Sequence, residues 1–274
     1  MNPQKYAITF ACYNQVEYTK KCVESMVRHG LDLSRLVVVD NGSTDDTRHY
    51  LESLALGGCI FNQANLGCGV AWNQGALALQ AQWTIIMNND VIVSKNWIEN
   101  LIETAEKNNL KVISPALIEG ELDYDFEDFS QNTSAKMQHA LRLNARHAVC
   151  LAVHQSVWLD IGYFQPIPKL LGYEDTMFFN ELDKAGIATA ITGASWLHHF
   201  GSITQSAMKQ ERGLSPKEGL PYRYNYRLLK QSWLTRKLKK IKRIALEKRW
   251  SKQEKSDFGV SMHGLRIDGI FVWK

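Results

Sequence analysis

Four short apolar runs, each stopping at polar turn chemistry and each followed by a stretch with helical spacing, constrain this chain more than any other feature. Tyr6–Cys12, Leu36–Val39, Cys59–Phe61 and Trp83–Met87 read as strands. Glu17–His29, Thr47–Leu54, Trp72–Gln80 and Trp97–Lys107 read as the helices between and after them, with Ser43 or Thr44 placed to cap the second. This alternation predicts an α/β fold on a mostly parallel central sheet flanked by helices. Its loops, Tyr13-Asn14, Asp40-Asn41-Gly42-Ser43, Asn65-Leu66-Gly67-Cys68-Gly69 and Asn88-Asn89-Asp90, then fall at strand carboxyl ends, where open parallel sheets bind ligands.

Further along, Glu119–Asn144 is acidic and polar with weak periodicity and reads as a variable loop able to close over a substrate. Ala148–Val153 reads as a buried strand, Gly172–Ala185 as a loop and helix, and Thr189–Ile191 as a short strand before the pair His198-His199. No run reaches the roughly 18 apolar residues needed to span a bilayer, and the opening MNPQKYAITF lacks the regions of a secretory signal. Five cysteines without a CxxC pair suit reduced thiols, so the expected location is cytoplasmic.

Several of these loops carry groups suited to chemistry. Asp40 could accept hydrogen bonds from a base or ribose, or simply close an Asx turn. The two glycines of Asn65–Gly69 permit close backbone approach to a ligand, with Asn73 one turn on; neither a Walker loop nor a dinucleotide fingerprint is present. Asp90, ending a fully apolar strand, is poised to hold Mg²⁺ or Mn²⁺ on a diphosphate, or to sit in a surface turn. His198 or His199 would be a fitting further ligand, His199 the preferred one, although a lone histidine is more often structural. Glu174 and Asp175 open an amphipathic helix, where acids also complement the helix dipole. In the functional alternative Asp175 is the base that deprotonates an acceptor hydroxyl, and Glu174 binds or orients the acceptor.

Taken in order, ITFACYNQVEYTKKCVESM, VVVDNGSTDDT, NLGCGVAWNQG, IIMNNDV, GYEDTMFFNELDKAG and WLHHFGS resemble the glycosyltransferase family 2 pattern on the GT-A fold, over roughly residues 5–205. The resemblance implies an inverting transfer from a dTDP-, UDP- or GDP-sugar, in one displacement without a covalent intermediate. It places the Thr9–Asn14 turn, Glu17 and Asp40 against the nucleoside, and Asn65, Gly67 and Asn73 beside the donor, with Asn88 and Asn89 next to them. Asp90 matches the metal-binding acid of the family's Asp-x-Asp motif, whose first acid is here Asn88; His199 or His198 matches the later metal-binding histidine, and Asp175 the usual base. The Asn-Asn-Asp variant is most similar to bacterial, often rhamnosyl-type, enzymes of O-antigen or capsule synthesis, with a glycan or lipid-linked acceptor.

The resemblance stops before the tail. Arg223–Lys255 holds 13 Lys/Arg against two acids, a segmental charge of +11 that leaves −7 for the rest of a chain of net +4. Within it Leu234, Leu238, Ile241 and Ala245 form a narrow apolar stripe among cations. Residues 1–220 are therefore expected as the catalytic domain and 221–274 as a basic helical extension. Residues 233–250 would lie on an anionic membrane surface or pack on protein; nucleic acid is not an expected partner. A non-catalytic nucleotide-sugar-binding or scaffold subunit is the alternative to the enzyme.

Overall fold

The computed structural model describes residues 4–166, 174–201, 203–211 and 232–274. Gly172, Tyr173, Ser202 and residues 212–231, which contain the expected domain boundary and the first cations of the tail, lie outside the described residues.

The alternation expected at the start of the chain is present as β1 (Gln4–Cys12), α1 (Val16–Arg28), β2 (Leu36–Asp40), α2 (Thr47–Glu52), β3 (Gly58–Phe61), α3 (Cys68–Ala78) and β4 (Ala81–Asn88). These four strands are parallel in the order β4-β1-β2-β3, with Phe10 opposite both Val38 and Met87. Because strand side chains alternate faces, Ile8, Phe10 and Cys12 enter one core with Cys22, Val23 and Met26 of α1. Full burial of a side chain such as Phe10 contributes about 1.5–3 kcal/mol. Thr9 takes the opposite face, against α3, where a methyl group on Gly75 would collide with its Oγ1. Glycine at position 75 therefore lets the helix close on the strand.

The second half is built from β5 (Val91–Val93), α4 (Trp97–Lys107), β6 (Val112–Gly120), α5 (Phe126–Met137), β7 (Leu141–Leu143), β8 (Cys150–His154) and α6 (Gln155–Ile161). There follow α7 (Glu174–Lys184), β9 (Thr189–His199), α8 (Ile203–Glu211), α9 (Trp233–Phe258), β10 (His263–Ile267) and β11 (Ile270–Trp273). The eleven described strands form one sheet whose main path is β11-β10-β6-β8-β4-β1-β2-β3. Beyond β4 the sheet is mixed, because β8 runs antiparallel to both β4 and β6. The parallel arrangement thus holds for the first four strands and not for the whole sheet.

The structure replaces the variable loop expected over Glu119–Asn144 with the end of β6, the twelve-residue helix α5 and strand β7. Asp125 caps α5 by accepting from the Asp128 N–H at 2.9 Å. The helix buries Phe126, Ser130, Thr133 and Met137, which lie at helical spacing. Two of those four are hydroxyl residues, which is why the sequence shows little apolar periodicity. This segment is packed on β9 and does not form a lid.

Nor does the C-terminal segment stand apart from the rest of the fold. β10 extends the sheet by pairing in parallel with β6, and β11 completes an edge hairpin. Phe271 and Trp273 stack with Phe129 of α5 in a core that also holds Trp196 and Met262. Among the described residues no helix is long and apolar enough to cross a membrane.

Candidate active site

The carboxyl ends of β1, β2 and β4 open on a cleft of about 810 Å³. Cys12, Tyr13, Asn41 and Asn65 line one part; Asn88, Asn89, Asp90, Glu174, Asp175 and His199 line another. Three acids and an imidazole from distant parts of the sequence therefore face one space.

The loops after β1, β2 and β3 are joined by asparagines. Asn14, in the left-handed region with φ 52°, accepts from the Thr44 N–H at 2.7 Å, and its own N–H donates to Ser43 Oγ at 2.7 Å. Asn41 Nδ2 donates to Asn65 Oδ1 at 3.1 Å and to the Gly67 carbonyl at 3.3 Å. Its Oδ1 accepts from the Leu66 N–H and Asn62 Nδ2. These bonds set the loops after β1, β2 and β3 in one arrangement before any ligand arrives.

The position of His199 follows from β9. Its register with β6 shifts between Pro115 and Ala116, whose partners are Thr192 and Trp196, and the strand then also pairs with β5. Val91 is opposite His199, so the residue preceding β5, Asp90, meets the imidazole: Nε2 lies 3.3 Å from Asp90 Oδ1. On its other side Nδ1 lies 3.6 Å from Glu119 Oε1. Burial disfavours the charged ring, but the Asp90 and Glu119 carboxylates outweigh it and raise the pKa of His199 to about 9. Glu119 also meets His263 Nε2 at 2.8 Å and Lys274 Nζ at 3.0 Å. His199 and His263 hold the Glu119 carboxyl well below the usual carboxylate range.

His198 occupies a different environment. Alternation on β9 turns it to the opposite face, where it is fully buried, bonds the Tyr124 hydroxyl at 3.0 Å and packs against Phe126 and Phe200. Burial pushes its pKa down to about 4. It does not line the cleft, so between the two expected histidines only His199 faces Asp90.

Other expected positions also lie away from the cleft wall. Thr9 is buried under α3. Glu17 is exposed on α1 and paired with Lys20 at 2.7 Å. Asp40 closes an Asx turn, its Oδ1 accepting from the Ser43 N–H at 3.0 Å. Gly67, at φ 90°, precedes α3. Asn73 pins the chain after α6 through Nδ2 to the Phe164 carbonyl at 2.7 Å and Oδ1 from the Phe164 N–H at 3.0 Å. With Asn14, these residues are not among those that line the cleft. By contrast Asn65, Asn88, Asn89, Asp90, Glu174, Asp175 and His199 all line it.

Sequence reasoning missed Asn41, Glu119, Arg142, His263 and Trp250, which also line the cleft. Asn41 was legible in the same turn as Asp40. The others come from segments read as a loop or an extension; strand pairing brings in Glu119, Arg142 and His263, and packing of α9 over Arg142 brings in Trp250.

A parallel half joined to a mixed half that brings acids and a histidine to one cleft is the α/β arrangement of the GT-A fold, and solved structures share it. One is GalNAc-T7 with UDP, GalNAc and Mn²⁺ (TM-score 0.56, 14% identity, 72% of this chain and 44% of that one). Another is S. aureus TarS 1–349 in complex with UDP-GlcNAc (TM-score 0.55, 15% identity, 73% of this chain and 61% of that one). The chain belongs to glycosyl transferase family 2, whose sequence profile matches residues 8–159. Curated relatives include the uncharacterized glycosyltransferase EpsJ of Bacillus subtilis, 26% identical over 39% of this chain. Glycosyltransferase GlyG of Streptococcus pneumoniae is 25% identical, also over 39%. The matches cover 32% and 37% of those two proteins, so the chain aligns with about a third of their length.

Proposed function

We propose that this chain transfers a sugar from a nucleotide-sugar donor to a hydroxyl of a glycan or lipid-linked acceptor, by single displacement with inversion. The observation that carries the reading is the convergence of Asp90, Asp175 and His199 on the cleft that the Asn41–Asn65 loops border. In this reading the asparagine-bonded loops receive the nucleoside, and Asp175 takes the acceptor proton as its oxygen attacks. Glu174, buried at the start of α7 beside Gly69, orients the acceptor.

The family implies a divalent metal, and the residues present fit a shared site. Asp90 and His199 offer a carboxylate and an imidazole, which suit Mn²⁺ or Mg²⁺ once diphosphate oxygens complete the shell. Among the described residues no group of three His, Cys, Asp or Glu is placed to hold a metal by itself. Glu119, at the opposite ring nitrogen, would hold the imidazole in orientation. When bound, the ion would supply charge stabilisation to the departing diphosphate.

α9 supports a peripheral location at an anionic membrane. At 100° per residue, Leu234, Leu238, Ile241 and Ala245 fall on one line, opposite Arg243, Glu247 and Trp250. The second group lines the cleft, whereas Leu234, Leu238 and Ile241 are 63%, 58% and 54% exposed. Lys237, Lys242 and Lys248 flank the stripe, and each cation near an anionic surface contributes about 1 kcal/mol. This arrangement fits the cytoplasmic face of a membrane carrying a lipid-linked acceptor in bacterial surface-polysaccharide synthesis.

The test is nucleoside diphosphate release from a panel of UDP-, GDP- and dTDP-sugars, with Mn²⁺ or EDTA and membrane-extracted acceptor lipid, using wild type and Asp175→Asn. Metal-dependent release from one donor should fall about 10²–10⁴-fold in the variant while donor binding persists. Equal turnover in the variant would refute Asp175 as base, and no release at all from wild type would favour a binding or scaffold role.

A further inference from the structure

The transferase reading leaves unassigned the cleft wall contributed by the end of the chain. Along the sheet, β1, β2 and β3 lie on one side of β4, while β6 and β10, carrying Glu119 and His263, lie on the other. The loops assigned to the nucleoside follow the first set. The wall on the second side includes Arg243, Leu246, Glu247 and Trp250, which sit at spacings of three, one and three and so share one face of α9.

Trp250 is held in place there. Its ring lies over the guanidinium of Arg142, with the guanidinium carbon 5.5 Å from the ring centroid. Arg142 is itself fixed: Nε donates to Glu254 Oε1 at 2.7 Å, and Nη2 donates to Glu254 Oε2 at 2.8 Å and to Ser261 Oγ at 2.7 Å. Glu254 also accepts from the Met262 N–H at 2.8 Å. A buried, ion-paired cation thus orients an indole that remains partly exposed and lines the cleft.

We propose that Trp250 is the platform on which a pyranose ring of the acceptor stacks, so that α9 supplies the acceptor side of the cleft. A pyranose presents an apolar C–H face to an aromatic ring and a rim of hydroxyls to polar neighbours, here Arg243 and Glu247. Arg243 and Glu247 lie 3.6 Å apart as an ion pair and offer a polar rim that suits sugar hydroxyls better than a lipid chain, while the loops assigned to the nucleoside follow the strands on the other side of β4. The proposal rests on the transferase reading and adds to it a specificity-determining residue and the chemical class that it takes.

The test uses the full chain as wild type, Trp250→Phe and Trp250→Leu; leucine keeps apolar bulk and removes the ring face. Methyl α- and β-glycopyranosides of hexoses and 6-deoxyhexoses are the probes, observed by saturation-transfer NMR with nucleoside diphosphate and Mn²⁺ present. Nucleoside diphosphate affinity is measured separately by calorimetry. Expected are ring-proton saturation in wild type, its retention in W250F, and about tenfold weaker glycoside binding in W250L, with nucleotide affinity equal in all three. Unchanged glycoside binding in W250L overturns the proposal, as does a parallel loss of nucleotide affinity. Absence of glycoside saturation in a wild type that binds nucleotide also overturns it and leaves the transferase reading standing. A wild type that binds no nucleoside diphosphate removes that reading and the proposal with it.

Discussion

His198 and His199 are neighbours in the chain with opposite surroundings, because consecutive residues on β9 point to opposite faces of the sheet. The consequence is a prediction for each. His199→Gln should weaken Mn²⁺-dependent nucleoside diphosphate binding by about tenfold or more, measured by calorimetry with Mn²⁺ or EDTA. His198→Gln should leave that binding unchanged and lower stability by about 1–3 kcal/mol, since it disturbs a buried bond to Tyr124. Both variants losing metal-dependent binding equally would contradict the assignment of the faces. Thr9 shows the converse case, a residue near a functional loop whose surroundings are packing. Gly75→Ala should cost about 1–3 kcal/mol in urea unfolding by forcing α3 off β1.

Among the elements, α9 has two opposed faces. Its inner face is tied to β7 by the Arg142–Glu254 pair, whose side chains are 3% and 8% exposed. Breaking such a pair leaves a buried charge without a partner, so Glu254→Ala should cost about 3–5 kcal/mol. Replacing both residues by methionine should recover much of that loss in thermal melts. The outer face carries the exposed apolar stripe. If it lies on membranes, Leu238→Ser with Ile241→Ser should reduce co-sedimentation with anionic vesicles and leave folding intact; unchanged sedimentation would assign the stripe elsewhere. β9 contributes through its register shift, which carries the chain from Thr192 to Trp196 opposite adjacent residues of β6 and brings His199 to Asp90.

At the scale of the molecule, the C-terminal hairpin is integral to the sheet. A chain ending at residue 259 would lose β10 and β11 and uncover Ile118 and Phe129, so it should aggregate or melt markedly lower than wild type. Stability should also depend on pH through His147. Part of that residue borders the cleft, yet its Nδ1 is buried without a hydrogen-bond partner among the described residues, while Nε2 bonds the Pro115 carbonyl at 2.8 Å. Burial, opposed by that bond, holds its pKa at about 4 against an ordinary 6.5. Between these values the unfolded chain binds the extra proton, so stability should fall as pH drops from about 6.5 to about 4 and fall no further on this account. Melting curves of His147→Gln over the same range should show a shallower decline; an identical decline would exclude His147 as its source.

Read alone, the sequence determined the parallel half of this protein: runs such as Leu36–Val39 and Trp83–Met87 encode local pattern, and each loop follows its strand directly. It also identified Asp90, Glu174 and Asp175 as acids with a place in the cleft, since motif order carries that information. The Asx turn of Asp40 is local and was among its readings, but it could not reveal that Asn73 and Thr9 are occupied by bonding and packing, because partners across the fold leave no local trace. α5 was hidden by Ser130 and Thr133 on its buried face. Strand pairing alone decided that His199 meets Asp90, and that the last residues of the chain complete a sheet begun by the first. Register depends on contacts between segments more than a hundred residues apart, and only the tertiary structure brings those together.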